Sequence, residues 1–455
     1  MTPALTIRTL DTPSLGDRSY LVHDGEVAFV VDPQRDIDRV LELADREDVR
    51  ISHVLETHIH NDYLTGGLAL AERTGAAYLV SGDDEVDFAR TPVRDGDEIP
   101  VGDAMVVRAL HTPGHTFTHL SFVLEADGEV VGVFTGGSLL YGATGRPDLL
   151  GPEHTETLAR LQHGSARRLA DLPAGAAVFP THGFGSFCAA GSADDQPDES
   201  TIGRERTANP AMTESEEAYV RQILDGLDVY PAYYVHMAPA NAAGPGAPDL
   251  SFPERADAAE LRGRLEAGEW LVDLRERTAF AAGHAPGSFN FGVDGQFATY
   301  LGWMLSWGTP VTLLGESEEQ VAEAQRELVR IGIDRPAAAA TGGPASWTTD
   351  RPGSYPRATF ADLAQVRHHR EVVVLDVRRV SEHEEEHIED AVNVPIHEMA
   401  GRVSDVPQGE VWVHCASGYR ASIAASFLAA AGRDVVLVDD EYDMAGGAGL
   451  PLKQS

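Results

Sequence analysis

The sequence predicts an α/β protein that is divided into about three domains. Three observations support this prediction: the length, the alternation of strand and helix patterns, and an internal repeat in the C-terminal half. At 455 residues the chain is about three times the usual domain length. In the N-terminal half, strand-like and helix-like runs alternate and repeatedly end in histidine-containing loops, which favours layers of sheet and helix.

The elements of the N-terminal half can be justified in order. Val27–Val31 is a short apolar run that predicts a strand. Residues 36–47 carry apolar side chains at 37, 40, 41 and 44, which is the period of a helix. Residues 51–57 predict the next strand. Residues 176–179 predict a strand that leads directly into His182.

Composition limits the classes of function. The formal net charge is −37, and an acidic surface repels nucleic acid and anionic membranes, so neither is an expected partner. No apolar run reaches transmembrane length, and the first residues lack a basic-then-apolar signal pattern, so we expect a cytoplasmic protein. In a reducing compartment the two cysteines, Cys188 and Cys415, are expected to be free thiols. We also expect a homo-oligomer.

The most informative stretch is residues 57–63, which follows the predicted strand at 51–57. Two histidines and one carboxylate, His58, His60 and Asp62, fall within five residues there. Neutral imidazole nitrogens bind borderline metals, and a carboxylate adds a hard oxygen ligand. Because the three side chains occupy alternate positions at a strand end, they project to one side. The stretch therefore predicts a metal site.

This stretch resembles the His-x-His-x-Asp-His signature of the metallo-β-lactamase superfamily. Residues 111–115, His-Thr-Pro-Gly-His, are similar to the second metal-binding loop of that family, and residues 180–182, Pro-Thr-His, to its last histidine loop. Residues 145–149, Gly-Arg-Pro-Asp-Leu, are similar to an element of the persulfide dioxygenase branch. Two positions depart from the pattern: Tyr63 stands where hydrolases have a histidine, and Gly137 stands where a bridging Asp is expected.

The resemblance implies both an architecture and a ligand set. The architecture is an αββα sandwich, in which two sheets pack face to face and helices lie outside. The ligand set places His58, His60 and His115 around one metal, with Asp62 and His182 on the side of a second.

The two departures argue against a two-metal hydrolase, because Tyr63 removes one ligand and Gly137 removes the bridge. Persulfide dioxygenases hold one Fe(II) with two histidines and a carboxylate, so we expect one divalent metal, with Fe(II) favoured over Zn(II). Water, His60 or Asp62 remain candidates for the place of the carboxylate, and Gly137→Asp is expected to increase iron retention. By the same resemblance, Arg146 lies near the anionic part of a thiol substrate, and we assign it with Tyr63 to substrate binding.

After residue 255 the chain repeats itself. Asp273 and Arg275 align with Asp376 and Arg378, at an offset of 103 residues (376 minus 273) that extends over each copy. Each copy is an α/β unit of about domain size. Each copy also resembles a rhodanese module.

The second copy carries a reactive-cysteine pattern. Cys415 follows an apolar strand, and Ser417, Gly418 and Arg420 follow it before a helix-like run begins at 421. Backbone N–H groups at a helix N-terminus and a nearby guanidinium stabilise a thiolate, which is the nucleophilic form of cysteine. Four residues separate Cys415 from Arg420, as in rhodaneses, whereas the related dual-specificity phosphatases have five. The loop therefore predicts a cysteine persulfide and sulfur transfer.

These patterns predict four parts of the chain. Residues 1–237 form the metallo-β-lactamase-like metal-binding domain, and residues 238–255, rich in Ala, Pro and Gly, form a linker. Residues 256–350 form a rhodanese-like domain, and residues 356–455 form a rhodanese domain with an active cysteine. In the first of these, Gly315 occupies the position of the cysteine, so we expect a structural or docking role.

The leading interpretation is an enzyme of persulfide metabolism. Its metal domain would oxidise a low-molecular-weight persulfide, of the glutathione or coenzyme A type, to sulfite, and Cys415 would transfer sulfane sulfur, onto sulfite for example to give thiosulfate. One alternative is a zinc thioester hydrolase fused to a sulfurtransferase. Another is a sulfur carrier whose metal domain is vestigial. Metal content discriminates among them, since iron favours the first, zinc the second and no metal the third.

Overall fold

A computed structural model describes residues 5–190 and 198–454. The chain forms two compact units, Met1–Pro248 with Val329–Gly332, and Asp249–Leu328 with Ile333–Ser455. Across the described ranges, no helix is long and apolar enough to cross a membrane.

The first unit is built on two six-stranded sheets. One sheet has the strand order β1-β2-β3-β4-β5-β6, with β1 (Thr6–Thr12), β2 (Asp17–His23), β3 (Val27–Val31), β4 (Arg50–Leu55), β5 (Ala77–Ser81) and β6 (Thr91–Val93). The other has the order β14-β12-β10-β9-β8-β7, with β7 (Glu98–Val101), β8 (Met105–His111), β9 (Leu120–Ala126), β10 (Glu129–Gly136), β12 (Ala177–Pro180) and β14 (Ser200–Thr201). A separate antiparallel pair consists of β11 (Thr144–Gly145) and β13 (Ala189–Ala190).

The two sheets pack face to face, and helices cover their outer faces. The core between the sheets includes Phe29 of β3 and Phe134 of β10, whose ring centroids are 5.8 Å apart. The helices are α1 (Asp38–Glu47), α2 (Gly67–Thr74), α3 (Pro152–Leu169), α4 (Ile202–Ala208), α5 (Pro210–Thr213), α6 (Glu216–Asp225) and α7 (Tyr234–Ala243). Apolar residues of α1 and α2 pack on the first sheet, and those of α3 and α6 pack on the second. The αββα sandwich implied by the sequence is therefore confirmed.

The helix α7 corrects the predicted linker. The composition of residues 238–255 predicts a linker, but α7 extends to Ala243 and the first unit extends to Pro248. Asn241 explains the difference, because it is buried and its Nδ2 donates to the carbonyl oxygens of His60 and Tyr63 at 2.9 and 2.8 Å. Its Oδ1 accepts the N–H of Thr65 at 2.9 Å. The helix is thus tied to the loop that follows β4.

The second unit contains two modules, each with a parallel sheet. The first module has the strand order β16-β15-β17-β18, with β15 (Trp270–Asp273), β16 (Phe289–Asn290), β17 (Val311–Gly315) and β18 (Ala338–Thr341). Its helices are α8 (Ala258–Glu266), α9 (Arg277–Ala282), α10 (Phe297–Met304), α11 (Glu318–Arg330) and α12 (Pro344–Trp347).

The second module has the strand order β19-β24-β23-β20-β22. Its strands are β19 (Arg357–Ala358), β20 (Val373–Asp376), β21 (His387–Ile388), β22 (Val392–Asn393), β23 (Val411–His414), β24 (Val435–Val438) and β25 (Leu452–Lys453), of which β21 and β25 form a separate pair. Its helices are α13 (Phe360–Arg367), α14 (Val380–Glu385), α15 (Met399–Arg402), α16 (Tyr419–Ala430) and α17 (Met444–Gly447), with 3₁₀ turns at Ile396–Glu398 and Val403–Asp405.

The repeat predicted from the sequence is confirmed in these two modules. In the first, Arg275 pairs with Asp273 through Nε at 2.9 Å and Nη2 at 2.6 Å. In the second, Arg378 pairs with Asp376 through the same two nitrogens at 3.1 and 2.7 Å. All four side chains are buried, so each pair is a buried bidentate ion pair at the end of its strand, β15 in the first module and β20 in the second.

Candidate functional site

The loops after β3, β4 and β12 meet around one buried carboxylate. Asp32, which follows β3, accepts the N–H and the hydroxyl of Thr57, both at 2.7 Å, and it also accepts the hydroxyl of Thr181. Its backbone lies in the left-handed region with φ +50°, which Asp adopts more readily than most residues. Asp32 therefore fixes the two loops that carry His58 and His182.

His58 and His182 point their Nε2 atoms at each other. Nδ1 of His58 lies 2.9 Å from the hydroxyl of Thr57, and because that hydroxyl donates to Asp32, Nδ1 must be the protonated donor. His182 donates from Nδ1 to Oδ1 of Asp17 at 2.9 Å. Both rings are therefore anchored through Nδ1, and their Nε2 atoms lie 3.4 Å apart.

His115 joins these two rings from the loop after β8. Its Nδ1 donates to the carbonyl oxygen of Arg146 at 2.9 Å, and its Nε2 is buried with no hydrogen-bond partner among the described residues. The ring centroid lies 4.8 Å from that of His58 and 5.4 Å from that of His182. Burial and the nearby His182 lower the pKa of His115 to about 3, so the ring is neutral. An Nδ1 bonded to a protein oxygen and an Nε2 without such a bond are the arrangement of metal-binding histidines.

His60 and Tyr63 form a separate buried pair on the same loop. His60 Nε2 lies 3.2 Å from a carboxylate oxygen of Glu56 and 3.0 Å from the hydroxyl of Tyr63, and the two rings stack at 4.3 Å. Burial lowers the pKa of His60, but Asp32 and Glu56 outweigh it and raise that pKa to about 9. One ring nitrogen of His60 still lies within 4.8 Å of ligand nitrogens of His58 and His182. Tyr63 is fully buried, with its hydroxyl committed to this pair.

Asp62 lies beside His182 together with Asp17, a residue that the sequence patterns did not reveal. One oxygen of Asp62 is 3.2 Å from Nδ1 of His182. Burial and the neighbouring Asp62 raise the pKa of Asp17 to about 7, while His182 outweighs burial and holds the pKa of Asp62 below its usual value. Both carboxylates lie against Nδ1 of His182 rather than against its Nε2.

Cys188 completes the cluster from the loop after β12. It is fully buried, and its Sγ lies within 4.8 Å of ring nitrogens of both His115 and His182. Arg146 holds its backbone, because the Arg146 N–H donates to the Cys188 carbonyl oxygen at 2.8 Å. The Arg146 guanidinium pairs bidentately with Asp148 at 2.7 Å and donates to the carbonyl oxygens of Phe187 and Asp228. Binding of a substrate anion by Arg146 would require the exchange of one of these partners.

Gly137 is in contact with the ligand rings, which corrects one expectation. A Cβ atom at this position would lie 2.7 Å from Cγ and 2.8 Å from Nε2 of His115. The Gly137 N–H also donates to Nε2 of His119 at 3.1 Å, so that buried histidine, which the sequence patterns did not reveal, acts as a brace for the loop. A carboxylate at position 137 would displace the His115 ring. Gly137→Asp is therefore no longer expected to increase iron retention, which corrects the prediction made from the sequence.

This donor set fits one divalent metal of borderline softness. Neutral imidazole nitrogens with a thiolate or carboxylate oxygen suit Fe(II) and Zn(II) rather than Mg²⁺ or Ca²⁺. The buried atoms of the cluster that have no hydrogen-bond partner among the described residues include Nε2 of His115, Nδ1 of His60 and both carboxylate oxygens of Asp62. Such an ion would partner them, and a buried polar atom without a partner is costly.

A second candidate site surrounds Cys415 in the second module. Cys415 follows β23, and its Sγ accepts the N–H of Gly418 at 3.2 Å where α16 begins. Gly418 has φ +93°, and a Cβ there would lie 3.0 Å from the Arg277 guanidinium, so glycine is required for this turn. The sulfur therefore sits at the positive end of a 12-residue helix, as the sequence predicted.

Arg420 is paired rather than free, and the partner is a residue that the sequence patterns did not reveal. Its two terminal nitrogens donate to the two carboxylate oxygens of Glu382 at 2.6 and 2.8 Å. Burial raises the pKa of Glu382, but the bond to Arg420 outweighs it and brings that pKa to about 2. The positive charge of Arg420 is therefore balanced close to Cys415.

Both modules of the second unit line the cavity that contains Cys415. The cavity has a volume of about 420 Å³. The second module contributes Cys415, Ser417, Tyr419, Arg420 and Glu441, and the first contributes Arg277, Asp294, Gly295, Gln296 and Tyr300. Arg277 is held there by Asp439, whose Oδ1 lies 2.5 Å from its Nε. The module that lacks a cysteine thus forms one wall of this site.

Comparisons with known protein families match both halves of the chain. Residues 17–182 match the metallo-beta-lactamase superfamily. Residues 257–350 and 359–443 each match the rhodanese-like domain.

Three similar proteins extend these matches. The mitochondrial persulfide dioxygenase ETHE1 of Bos taurus is 30% identical over 247 residues, which cover 52% of this chain and 87% of that protein. A hydroxyacylglutathione hydrolase of Pseudomonas aeruginosa is 33% identical over 142 residues. These residues cover 31% of this chain and 51% of the hydrolase, so the chain spans about half the length of that relative. A solved structure described as a metallo-beta-lactamase from Staphylococcus aureus superposes with a TM-score of 0.65 at 28% identity, over 74% of this chain and 99% of that one.

Proposed function

The chain belongs to the metallo-beta-lactamase superfamily, as a persulfide dioxygenase-like domain followed by two rhodanese-like domains, and from this premise we propose that it is an enzyme of persulfide metabolism. The first unit would oxidise a low-molecular-weight persulfide of the glutathione or coenzyme A type. The overall reaction consumes one persulfide, one O₂ and one water, and yields one thiol, one sulfite and two protons. The second unit would carry the sulfane sulfur on Cys415.

His182 belongs to two sets whose ligand atoms lie within 4.8 Å of one another, one with His58 and His60 and the other with His115 and Cys188, so the single metal would be held by His182 with members of these sets. His58, His115 and His182 would offer Nε2, since their Nδ1 atoms are bonded to protein oxygens, and His60 would offer Nδ1, which is buried without a partner among the described residues. Fe(II) bound there would supply the activation of O₂ and of the persulfide sulfur. Asp17 keeps the His182 ring oriented by accepting from its Nδ1 at 2.9 Å, and an oxygen of Asp62 lies 3.2 Å from the same nitrogen. The complete burial of these side chains would exclude bulk water from the reacting atoms.

The sulfur-transfer step can be written with all atoms balanced. The Cys415 thiolate attacks the outer sulfur of a persulfide, a new S–S bond forms at Cys415, and the substrate thiolate leaves. Sulfite then attacks the outer sulfur of the Cys415 persulfide, giving thiosulfate and restoring the thiolate. The Gly418 N–H donates to Sγ at 3.2 Å and would stabilise the Cys415 thiolate both before it attacks the persulfide and after sulfite has removed the outer sulfur.

The observation that carries this proposal is the position of Cys415 Sγ in a 420 Å³ cavity at the start of α16. A sulfur with one N–H donor, in a cavity large enough for a small anion, suits a sulfane-sulfur carrier. Arg277, which Asp439 holds in the cavity wall, would offer its guanidinium N–H groups to thiosulfate or sulfite.

The test is to incubate the purified protein with thiosulfate or glutathione persulfide and locate the added sulfur by peptide mass spectrometry. We expect one added sulfur on the peptide that contains Cys415. Cys415→Ser should abolish both the adduct and sulfur transfer to cyanide. An adduct found only on Cys188 would contradict the assignment.

The metal domain is tested by metal analysis together with oxygen uptake. Iron-loaded protein should consume O₂ and release sulfite when glutathione persulfide or coenzyme A persulfide is added. A zinc thioester hydrolase is the second candidate, because the domain is 33% identical to hydroxyacylglutathione hydrolase over 142 residues. Zinc in the purified protein with thioester hydrolysis, and without O₂ uptake, would favour that candidate.

A further inference from the structure

The candidate metal site lacks the carboxylate that the family pattern places at position 137, where this chain has glycine. Three neutral imidazoles leave the full double charge of a divalent ion inside a buried cluster, which is costly unless an anion binds with them. Position 137 cannot supply a carboxylate, because the ring of His115 fills the space beside Gly137. The ring is also in close contact with Gly145 on another side, where a Cβ would lie 2.7 Å from Nδ1. His115 therefore has little room to move aside.

Four buried carboxylates lie near the cluster, and three of them have hydrogen-bond partners, whereas neither oxygen of Asp62 has one among the described residues. Asp17 and Asp62 lie against Nδ1 of His182, 2.9 and 3.2 Å away, whereas the free lone pair is on Nε2. Glu56 and Asp32 lie 3.2 and 3.4 Å from Nε2 of His60. Asp17, Asp32 and Glu56 each pair with a histidine nitrogen. Asp62 is the carboxylate near the cluster that competes with Cys188 for the role of anionic ligand.

We propose that Cys188 is a thiolate ligand of the metal and takes the place of a carboxylate at position 137. The ligand set is then Cys188 Sγ with the Nε2 atoms of His115 and His182, and with His58 as a further nitrogen ligand. This inference rests on the proposed function only in that it requires a metal to bind at this cluster.

The geometry of the cluster supports this assignment. Two nitrogens bound to one tetrahedral ion at about 2.0–2.1 Å are about 3.3 Å apart. The Nε2 atoms of His58 and His182 are 3.4 Å apart. Cys188 Sγ and the ring nitrogens of His115 and His182 all lie within 4.8 Å of one another, so small side-chain shifts close the set around one ion.

The surroundings of Cys188 also favour a ligand over a nucleophile. Its thiol is fully buried. A bound divalent metal deprotonates a coordinating thiol. The backbone of Cys188 is held by the N–H of Arg146, which donates to its carbonyl oxygen at 2.8 Å. A thiolate among imidazoles selects Zn(II) or Fe(II) over hard cations.

Cobalt substitution tests the inference without any activity measurement. We expect the full-length protein, reconstituted with one Co(II), to show the intense near-ultraviolet charge-transfer band of thiolate-bound cobalt. The chain has two cysteines, so Cys415→Ser is the matched control and should keep the band. Cys188→Ser should lose it, and its metal affinity, measured by competition with a chelator, should fall by roughly 100-fold, since even loss of an outer partner of a ligand costs about 10- to 100-fold. Cys188→Asp should recover metal binding without the band.

The outcomes separate this inference from the proposed function. If the wild type binds one cobalt at the histidines and shows no thiolate band, the inference is overturned and the proposed function stands. If the band disappears in Cys415→Ser, the inference is overturned as well. If His115→Ala and the wild type both bind no metal, it is the metal chemistry of the proposed function that fails. The wild-type and Cys415→Ser spectra decide the matter even if the Cys188 variants do not fold.

Discussion

Replacement of Asn241 is expected to destabilise the first unit strongly, although the residue lies in a segment whose composition predicts a linker. Asn241→Ala removes three hydrogen bonds of 2.8–2.9 Å and leaves the carbonyl oxygens of His60 and Tyr63 and the N–H of Thr65 without this partner. Each buried group left unpaired costs about 1–3 kcal/mol, so the unfolding free energy should fall by about 3 kcal/mol or more.

The melting temperature of the first unit measures this effect. For a unit of this size about 1 kcal/mol corresponds to about 2–4 °C, so Asn241→Ala should lower the transition by roughly 6–12 °C. Hydrogen exchange at the Thr65 amide should speed up in the same variant. Val235→Ala, an exposed change on the same helix, is the matched control and should have little effect. Equal melting temperatures for the two variants would refute the argument that α7 braces the loop after β4.

Three further predictions concern both sites. Gly137→Asp should reduce metal retention in dialysis rather than increase it, because the new side chain collides with the His115 ring; retention above the wild type would show that the ring can move. Arg277→Ala should raise the KM for thiosulfate by roughly 3- to 10-fold, equivalent to about 1 kcal/mol. Arg357 also bonds Asp439, at 2.8 Å, but does not line the cavity, so Arg357→Ala is the control and should leave the KM unchanged. Equal effects of the two changes would assign Arg277 a purely structural role. The pKa of Glu382 is lowered to about 2 in the folded protein, so its contribution to stability is present above the unfolded pKa of about 4.3 and is lost as the pH falls toward 2. The melting temperature of the second unit should therefore fall more steeply over that pH range in the wild type than in Glu382→Gln. Melting temperatures that fall in parallel in the two proteins would argue against a stabilising Glu382–Arg420 pair.

The parts of the sites that depend on neighbouring residues could be predicted from the sequence. His58, His60 and Asp62 stand at alternate positions where β4 ends, and Cys415 stands between β23 and α16. In both places the local backbone alone decides where the side chains point, because a strand end or a helix start fixes a few consecutive residues. The internal repeat was equally visible, since each copy carries its own buried Asp and Arg only two residues apart.

Only the tertiary structure decided which atoms remain free for chemistry. The Nδ1 partners of His115 and His182 are the Arg146 carbonyl and Asp17, 31 and 165 residues away in the sequence. Arg277 enters the Cys415 cavity from another module. These contacts depend on which elements pack together, and that packing also sets the burial that shifts each pKa and the space that excludes a side chain at Gly137. The sequence could therefore name most of the candidate ligands, whereas their free lone pairs, their hydrogen-bond partners and the space around them depend on the fold.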